Sequence, residues 1–319
     1  GRSVETLSGL YKADLHAKDL AERFQDHGAA QCGICTPGMM VSAVALLREN
    51  AKPNVEEVQD ALAGVLCRCT GYRKIIDAVI GVPANIKKSY GQVGDIIRKL
   101  DGEDKVAGRE VFGDDVAPAG TLEIFVIRSP SHRAAFLFGD LNGFLSNSDG
   151  IETILTAEDI KGRNVFGVNP QFMDQPVFAE TETRFRGEAV AAVIGTPGAI
   201  AKFDPDSFPI TWNELPSVND IVSAQNPAAP QLHEGRDWNI MCGGFVESGD
   251  ANAALKRADV TVEGHFRSGF VEHAYIEPEA GFAQMVNGRV EVHACTQAPV
   301  MDLDSLEIIL GIDRSMIRI

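Results

Sequence analysis

The chain has 319 residues, 45% of them hydrophobic and 23% charged, the composition of an ordinary globular protein with room for two or three cores. Its net charge of −16 gives a field that attracts neither nucleic acid nor an anionic membrane surface, and no apolar run reaches spanning length. No signal-like stretch follows Gly1, and the use made of the six cysteines points to a reducing, cytoplasmic compartment.

In chain order, Ala17, Leu20, Ala21 and Phe24 form one face of a first helix, with Gly28 as its stop. Thr36 is placed to cap a second helix with Pro37 at its first position, carrying Met40, Val44 and Leu47 at helical spacing up to Lys52-Pro53. Asn54 and Glu57 read as a capping box, after which Val55, Val58, Leu62 and Val65 form the stripe of a third helix. Ile75, Ile76, Val79 and Ile80 mark a fourth, closed by Gly81 and Pro83. Between these helices lie Cys32-Gly-Ile-Cys35 and Cys67-Arg-Cys69, with Cys35 and Cys69 each expected just before a helix N-terminus, where free N–H groups favour thiolates. Four cysteines in two such pairs make a cage for a soft metal centre. On spacing alone a 2Fe-2S cluster and a structural zinc fit equally. Disulfide pairing is disfavoured because Cys67 and Cys69 would close a strained ring. Cys242 and Cys295 have no cysteine partner at metal spacing and read as small buried thiols.

The residues around the cysteines separate the two metals. Gln31-Cys32-Gly33-Ile34-Cys35-Thr36-Pro37-Gly38 and Leu66-Cys67-Arg68-Cys69-Thr70-Gly71-Tyr72 closely resemble the helical 2Fe-2S domain of the molybdenum hydroxylases, which include xanthine dehydrogenases, aldehyde oxidoreductases and carbon monoxide dehydrogenases. The resemblance implies that Cys32, Cys35, Cys67 and Cys69 ligate the cluster nearer the molybdenum. It also carries over Gln31 and Gly33 as cofactor-contacting positions within the first motif.

Residues 86–112 are rich in charge and glycine with little apolar period, the pattern of an inter-domain connector. Arg98-Lys99-Leu100-Asp101-Gly102 and Lys105-Val106-Ala107-Gly108-Arg109 resemble the start of the family's molybdopterin-binding subunit. The implied layout has no flavin domain and is similar to flavin-free aldehyde oxidoreductases and fused, selenium-dependent xanthine dehydrogenase-like proteins. Over 113–237 the pattern is mixed. Strands are expected at Leu122–Ile127 and Ile151–Leu155, a Thr156–Asp159 capping box next, an interior strand within Gly187–Ile194, and another strand at Phe208–Trp212. Ile127-Arg-Ser-Pro130, Arg186-Gly-Glu-Ala-Val-Ala191 and Glu214-Leu-Pro216 resemble the family's α/β hammerhead domain.

Residues 238–319 begin a further domain. Val260 to Phe266, Glu272-His273-Ala-Tyr-Ile-Glu277-Pro and Ala294-Cys295-Thr296-Gln297-Ala298-Pro299 resemble, in order, the strands that lead to the molybdenum. The resemblance gives Gln297 a place beside the metal, where an amide offers donors without competing as an anionic ligand. Glu272, His273 and Glu277 read more simply as turn anchors, and Gly243-Gly244-Phe245 as a surface turn. A last helix holds Leu306, Ile309 and Leu310 and ends at Gly311. No Rossmann fingerprint follows a predicted strand.

The expected architecture is therefore α+β and multidomain: a helical 2Fe-2S domain (1–85), a linker (86–112), an α/β hammerhead (113–237) and the N-terminal part of a molybdopterin-binding domain (238–319). By resemblance the cofactors are a 2Fe-2S cluster and, in the complete enzyme, a molybdopterin cofactor. The substrate is a purine-like heterocycle or an aldehyde. The partners are the remaining molybdopterin-binding sequence, a second ferredoxin-like domain, a redox partner and further copies in a homo-oligomer. The chain resembles a fragment of a longer enzyme, with its general base expected beyond Ile319.

Overall fold

The computed structural model describes residues 3–84, 93 and 97–319. The chain divides into two compact units, Gly1–Val116 with Phe266–Ala280, and Ala117–His265 with Gly281–Ile319. Among the described residues no helix is long and apolar enough to cross a membrane.

The first unit is a helical bundle of α1 (Leu7–Ala13), α2 (Leu15–His27), α3 (Thr36–Glu49), α4 (Val55–Leu62), α5 (Arg73–Ile80) and α6 (Gly102–Ala107). At its centre α2 touches α1, α3, α5 and α6. The expected stripe of Ala17, Leu20, Ala21 and Phe24 is buried there against Met39, Met40, Val44, Ile75 and Val79. The Asn54–Glu57 capping box forms with both reciprocal bonds in place, at 3.0 and 2.8 Å. Three details differ from the sequence reading. The cap of α3 is Cys35, one residue earlier than Thr36, and it makes no side-chain cap bond. Helix α4 stops at Leu62, so Val65 lies outside it, and Val55 at its first position is exposed. The stretch expected as a connector holds α6, whose Val106 and Ala107 are 1% exposed. Its apolar pattern is only two residues long, too short for periodicity to reveal. Residues 86–92 and 94–96 of that stretch lie outside the described residues.

In the second unit, β1 (Glu123–Arg128), β5 (Ala189–Gly195) and β3 (Ile151–Thr156) form an antiparallel sheet with β5 in the middle. The apolar run of β5 follows from its flanked position, and Val190, Ala191 and Val193 are fully buried. A second antiparallel sheet has the order β4 (Glu182–Thr183), β2 (Ala134–Phe138), β6 (Ile210–Glu214). Helices α7 (Leu141–Ser146) and α8 (Pro197–Ile200) lie nearby in sequence, and α9 (Ile221–Ala224) and α10 (Ala251–Arg257) follow. The expected strand Phe208–Trp212 is shifted two residues on, because Phe208 closes a 3-10 turn and enters the core instead. Phe208 meets Phe138 and Phe144 edge-on, at ring separations of 6.2 and 5.7 Å.

Toward the C-terminus, β7 (Gly281–Val286) and β8 (Arg289–Ala294) make a hairpin, β9 (Ile317–Arg318) adds in parallel to β8, and α11 (Pro299–Leu310) ends at Gly311 as expected. Val260 to Phe266 is not a strand: Val262 and Phe266 are 92% and 93% exposed, and no ladder among the described residues includes the segment. Alternation alone does not satisfy a strand's backbone N–H and C=O groups; a neighbouring strand must. Cys242, expected buried, is exposed, and Cys295 is partly buried.

Candidate functional site

The cysteine motifs occupy two loops of the helical unit, one leading from α2 into α3 and one leading from α4 into α5. All four thiols are partly buried. They approach as two pairs. Cys69 Sγ lies 3.6 Å from Cys32 Sγ, and Cys67 is the neighbour that, after burial, most raises the Cys35 thiol. Among the described residues no three His, Cys, Asp or Glu side chains gather round one ion. A mononuclear zinc draws four ligands to a single point, whereas a dinuclear cluster takes two thiolates on each iron, and two adjacent pairs suit the second arrangement.

The second loop is fixed by Tyr72, whose hydroxyl accepts from the Cys67 N–H at 2.8 Å and donates to the Val65 carbonyl at 3.3 Å. Thr70 Oγ1 accepts from the Tyr72 N–H at 3.1 Å and lies 3.1 Å from Cys67 Sγ. Gly71 and Tyr72 both have left-handed backbone, at φ of 61° and 65°. This turn separates Cys69 from the start of α5, so Cys69 does not directly precede a helix as expected, whereas Cys35 does.

Burial, followed by the neighbouring Cys67, Cys32 and Cys69 sulfurs, pushes the Cys35 thiol up to about 12 despite its place at a helix N-terminus. Burial also raises Cys67, but bonds from the Thr70 hydroxyl and N–H, and then from Cys35, outweigh it and hold that thiol below its ordinary value. Cys69 is raised by burial and by Cys32. Four sulfurs this close are mutually unfavourable as bare thiolates, so the donor set fits a cationic metal core that displaces the protons.

The first loop has its own supports, which sequence reasoning did not identify. Gly33 is buried with φ +100°, and a Cβ there would lie 2.8 Å from Lys105 Cγ. Lys105, on α6, is 6% exposed; its Nζ donates to the Gln31 carbonyl at 2.8 Å and pairs with the Asp101 carboxylate. Lys99 Nζ donates to the Ala30 carbonyl at 2.8 Å. Gln31 thus serves the loop through its carbonyl, and its residue is exposed. A buried lysine carries no sequence signal, because lysines are ordinarily outside.

Arg68, between two of the cysteines, donates from its guanidinium to the carbonyls of Glu272, at 3.1 Å, and His273. The Glu272 carboxylate accepts from the Ala274 N–H. These residues anchor a chain turn, and Glu272 and His273 are exposed. In the second unit Gln297 sits in an exposed bend between β8 and α11. The preceding Thr296 hydroxyl accepts from the Ala298 N–H at 2.9 Å and bonds the Asp302 carboxylate, which fixes the entry to α11.

Residues 6–80 match the model of the [2Fe-2S] binding domain, and residues 232–319 match that of the molybdopterin cofactor-binding domain. The chain is thus similar to molybdenum hydroxylases in both of these domains. It is 29% identical to an aldehyde oxidoreductase of Megalodesulfovibrio gigas over 92% of this chain and 35% of that protein. It is 30% identical to the nicotinate dehydrogenase large molybdopterin subunit of Eubacterium barkeri over 73% of this chain and 54% of that protein. The solved structure of the aldehyde oxidoreductase from Desulfovibrio gigas superposes with a TM-score of 0.81 at 28% identity, covering 98% of this chain and 37% of its own. The chain therefore spans little more than a third of the length of the aldehyde oxidoreductase it matches almost throughout. The family carries both a 2Fe-2S domain and a molybdopterin-binding domain, and this chain holds sequence from each.

Proposed function

We propose that this chain is the electron-relay part, and one portion of the pterin-binding part, of a hydroxylase that oxidises an aldehyde or a purine-like heterocycle with oxygen taken from water. The observation that carries the reading is the set of four partly buried free cysteines, with Cys32 and Cys69 in contact, in a helical unit whose own chain continues into molybdopterin-binding sequence. When bound, the molybdopterin cofactor supplies two-electron oxidation and the 2Fe-2S cluster supplies one-electron transfer.

The residues have separate tasks. Cys32, Cys35, Cys67 and Cys69 would hold the cluster. Tyr72 and Thr70 hold the second ligand loop in shape, and the Cys67 N–H, tied to the Tyr72 hydroxyl, keeps that backbone from turning. Gln297 would offer its amide N–H to an oxygen at the pterin-bound metal; it stands at the N-terminal end of the 12-residue helix α11, where anionic groups are favoured. The general base, a redox partner, further copies of the chain and a cytoplasmic setting complete the proposal. Aldehyde is the first substrate to test, because the relative matched over most of this chain bears that name.

The test is turnover of an aldehyde and of a purine by the intact enzyme in heavy-oxygen-labelled water, with an artificial electron acceptor. Label in the carboxylate or hydroxylated product is expected. Product oxygen drawn from dissolved dioxygen, or no oxidation of either substrate by molybdenum-loaded enzyme, would overturn the reading. Gln297→Ala should slow turnover on the order of a hundredfold while the cluster spectrum persists.

A further inference from the structure

Lys105 is buried where its family of side chain is seldom buried. It follows Asp101 by one helical turn on α6 and precedes Val106 and Ala107, both in the core of the helical unit. Filling that space would require only a methionine, which has a similar length and no charge to desolvate. What lysine adds is a fixed positive charge and a donor, and the donor is spent on the Gln31 carbonyl, the residue next to Cys32. Its stem covers Gly33, between the two cysteines of the first motif. The charge is not isolated. Lys99 grips the neighbouring Ala30 carbonyl, and Lys74 Nζ reaches to 3.6 Å from where a Gly28 Cβ would stand. Burial, and then the ammonium of Lys105, hold Lys99 below the ordinary lysine value, a sign that these cations act on one another. In a chain of net charge −16, the segment from Gly28 to Gly33 is lined by lysines, with Asp101 as the counter-charge to Lys105.

We propose that Lys105 is a positioning residue for the cluster: its buried ammonium holds the Gln31–Gly33 approach to Cys32 and Cys35 and raises the cluster's reduction potential, while Asp101 opposes it. The proposal rests on the reading that the four cysteines hold a 2Fe-2S cluster. Reduction adds one electron, taken from an external reductant in a titration, and makes or breaks no covalent bond. A nearby cation in a partly buried setting favours the more negative, reduced form, and an anion favours the oxidised one.

The two charges predict shifts of opposite sign, which a purely structural clamp does not. Intact protein would be titrated potentiometrically, with the reduced cluster followed by electron paramagnetic resonance and iron measured in each sample. In Lys105→Met the ratio of reduced to oxidised cluster at a fixed potential should fall about tenfold, a midpoint lower by about 59 mV. Lys105→Arg should restore most of that ratio. Asp101→Asn should move it the other way. If Lys105→Met loses its iron, Asp101→Asn decides: a raised midpoint supports the proposal, and an unchanged or lowered one overturns it. Unchanged midpoints in both variants with full iron would also overturn it. Wild-type protein without iron or a reversible signal would instead refute the cluster reading itself, and the proposal with it.

Discussion

Replacing Gly33 by alanine tests how tightly the first ligand loop is built. Its φ of +100° lies beyond the left-handed region that other residues visit, and strain of this kind costs about 1–3 kcal/mol. The added Cβ would also meet Lys105 Cγ at 2.8 Å, Cδ at 3.0 Å and Cε at 3.2 Å. Those atoms belong to a side chain clamped at both ends, so relief requires moving α6 or the loop, and overpacking of this sort costs about 1–3 kcal/mol more. The control is Gly71→Ala in the other loop, where φ is +61° and nothing lies within 4 Å of the new Cβ, leaving only a left-handed penalty of about 1–2 kcal/mol. Urea unfolding of the helical unit, followed by helix circular dichroism, should give a loss of about 3–4 kcal/mol for Gly33→Ala and about half that or less for Gly71→Ala. Iron release to a chelator should be faster in the first. In a Lys105→Ala background the steric part disappears, so the second substitution should cost about 1–2 kcal/mol less than alone. Equal losses for the two glycine variants, or strict additivity with Lys105→Ala, would refute the packing described for Lys105 and Gly33.

Tyr72→Phe removes the oxygen that accepts from the Cys67 N–H, and an unmet, partly buried donor should cost about 1–3 kcal/mol; iron retention unchanged under chelator would contradict this. Asn54→Ala removes the side-chain acceptor of the capping box, leaving only the bond from its backbone N–H to Glu57, and should cost about 1 kcal/mol without changing the cluster spectrum, as measured by thermal unfolding. The Lys105 ammonium beside Asp101 holds that carboxyl below its ordinary value in the folded chain. Its stabilisation is therefore complete above the usual carboxylate range and is lost as pH falls through the lower folded value. Unfolding midpoints below about pH 4 should fall less steeply in Asp101→Asn than in wild type, and identical acid limbs would contradict the assignment.

The helical core was readable because α2, α4 and α5 carry amphipathic stripes with explicit stop or cap residues at Gly28, Asn54 and Gly81. Strand β5 was readable because an interior strand is apolar on both faces. Other elements were not. Helix α6 has six residues and buries a lysine, which reads as a solvated linker. Strand β2 and the two-residue β4 depend on partners distant in sequence. The hairpin of β7 and β8 turns on Asn287-Gly288, both at positive φ, a two-residue turn of the kind that an Asn-Gly pair favours. The cysteines declared themselves through local spacing. Lys105, Lys99 and the Arg68 anchor belong to the same loops only through tertiary contacts with residues far along the chain.

The central claim is that two cysteine pairs hold one dinuclear cluster, and iron and acid-labile sulfide analysis of the 319-residue chain tests it most directly. About two iron and two sulfide per polypeptide are expected, with a one-electron paramagnetic signal on reduction that survives in Cys242→Ser and is lost in Cys67→Ser. A colourless protein holding zinc, or Cys67→Ser protein with its iron and spectrum unchanged, would contradict the account.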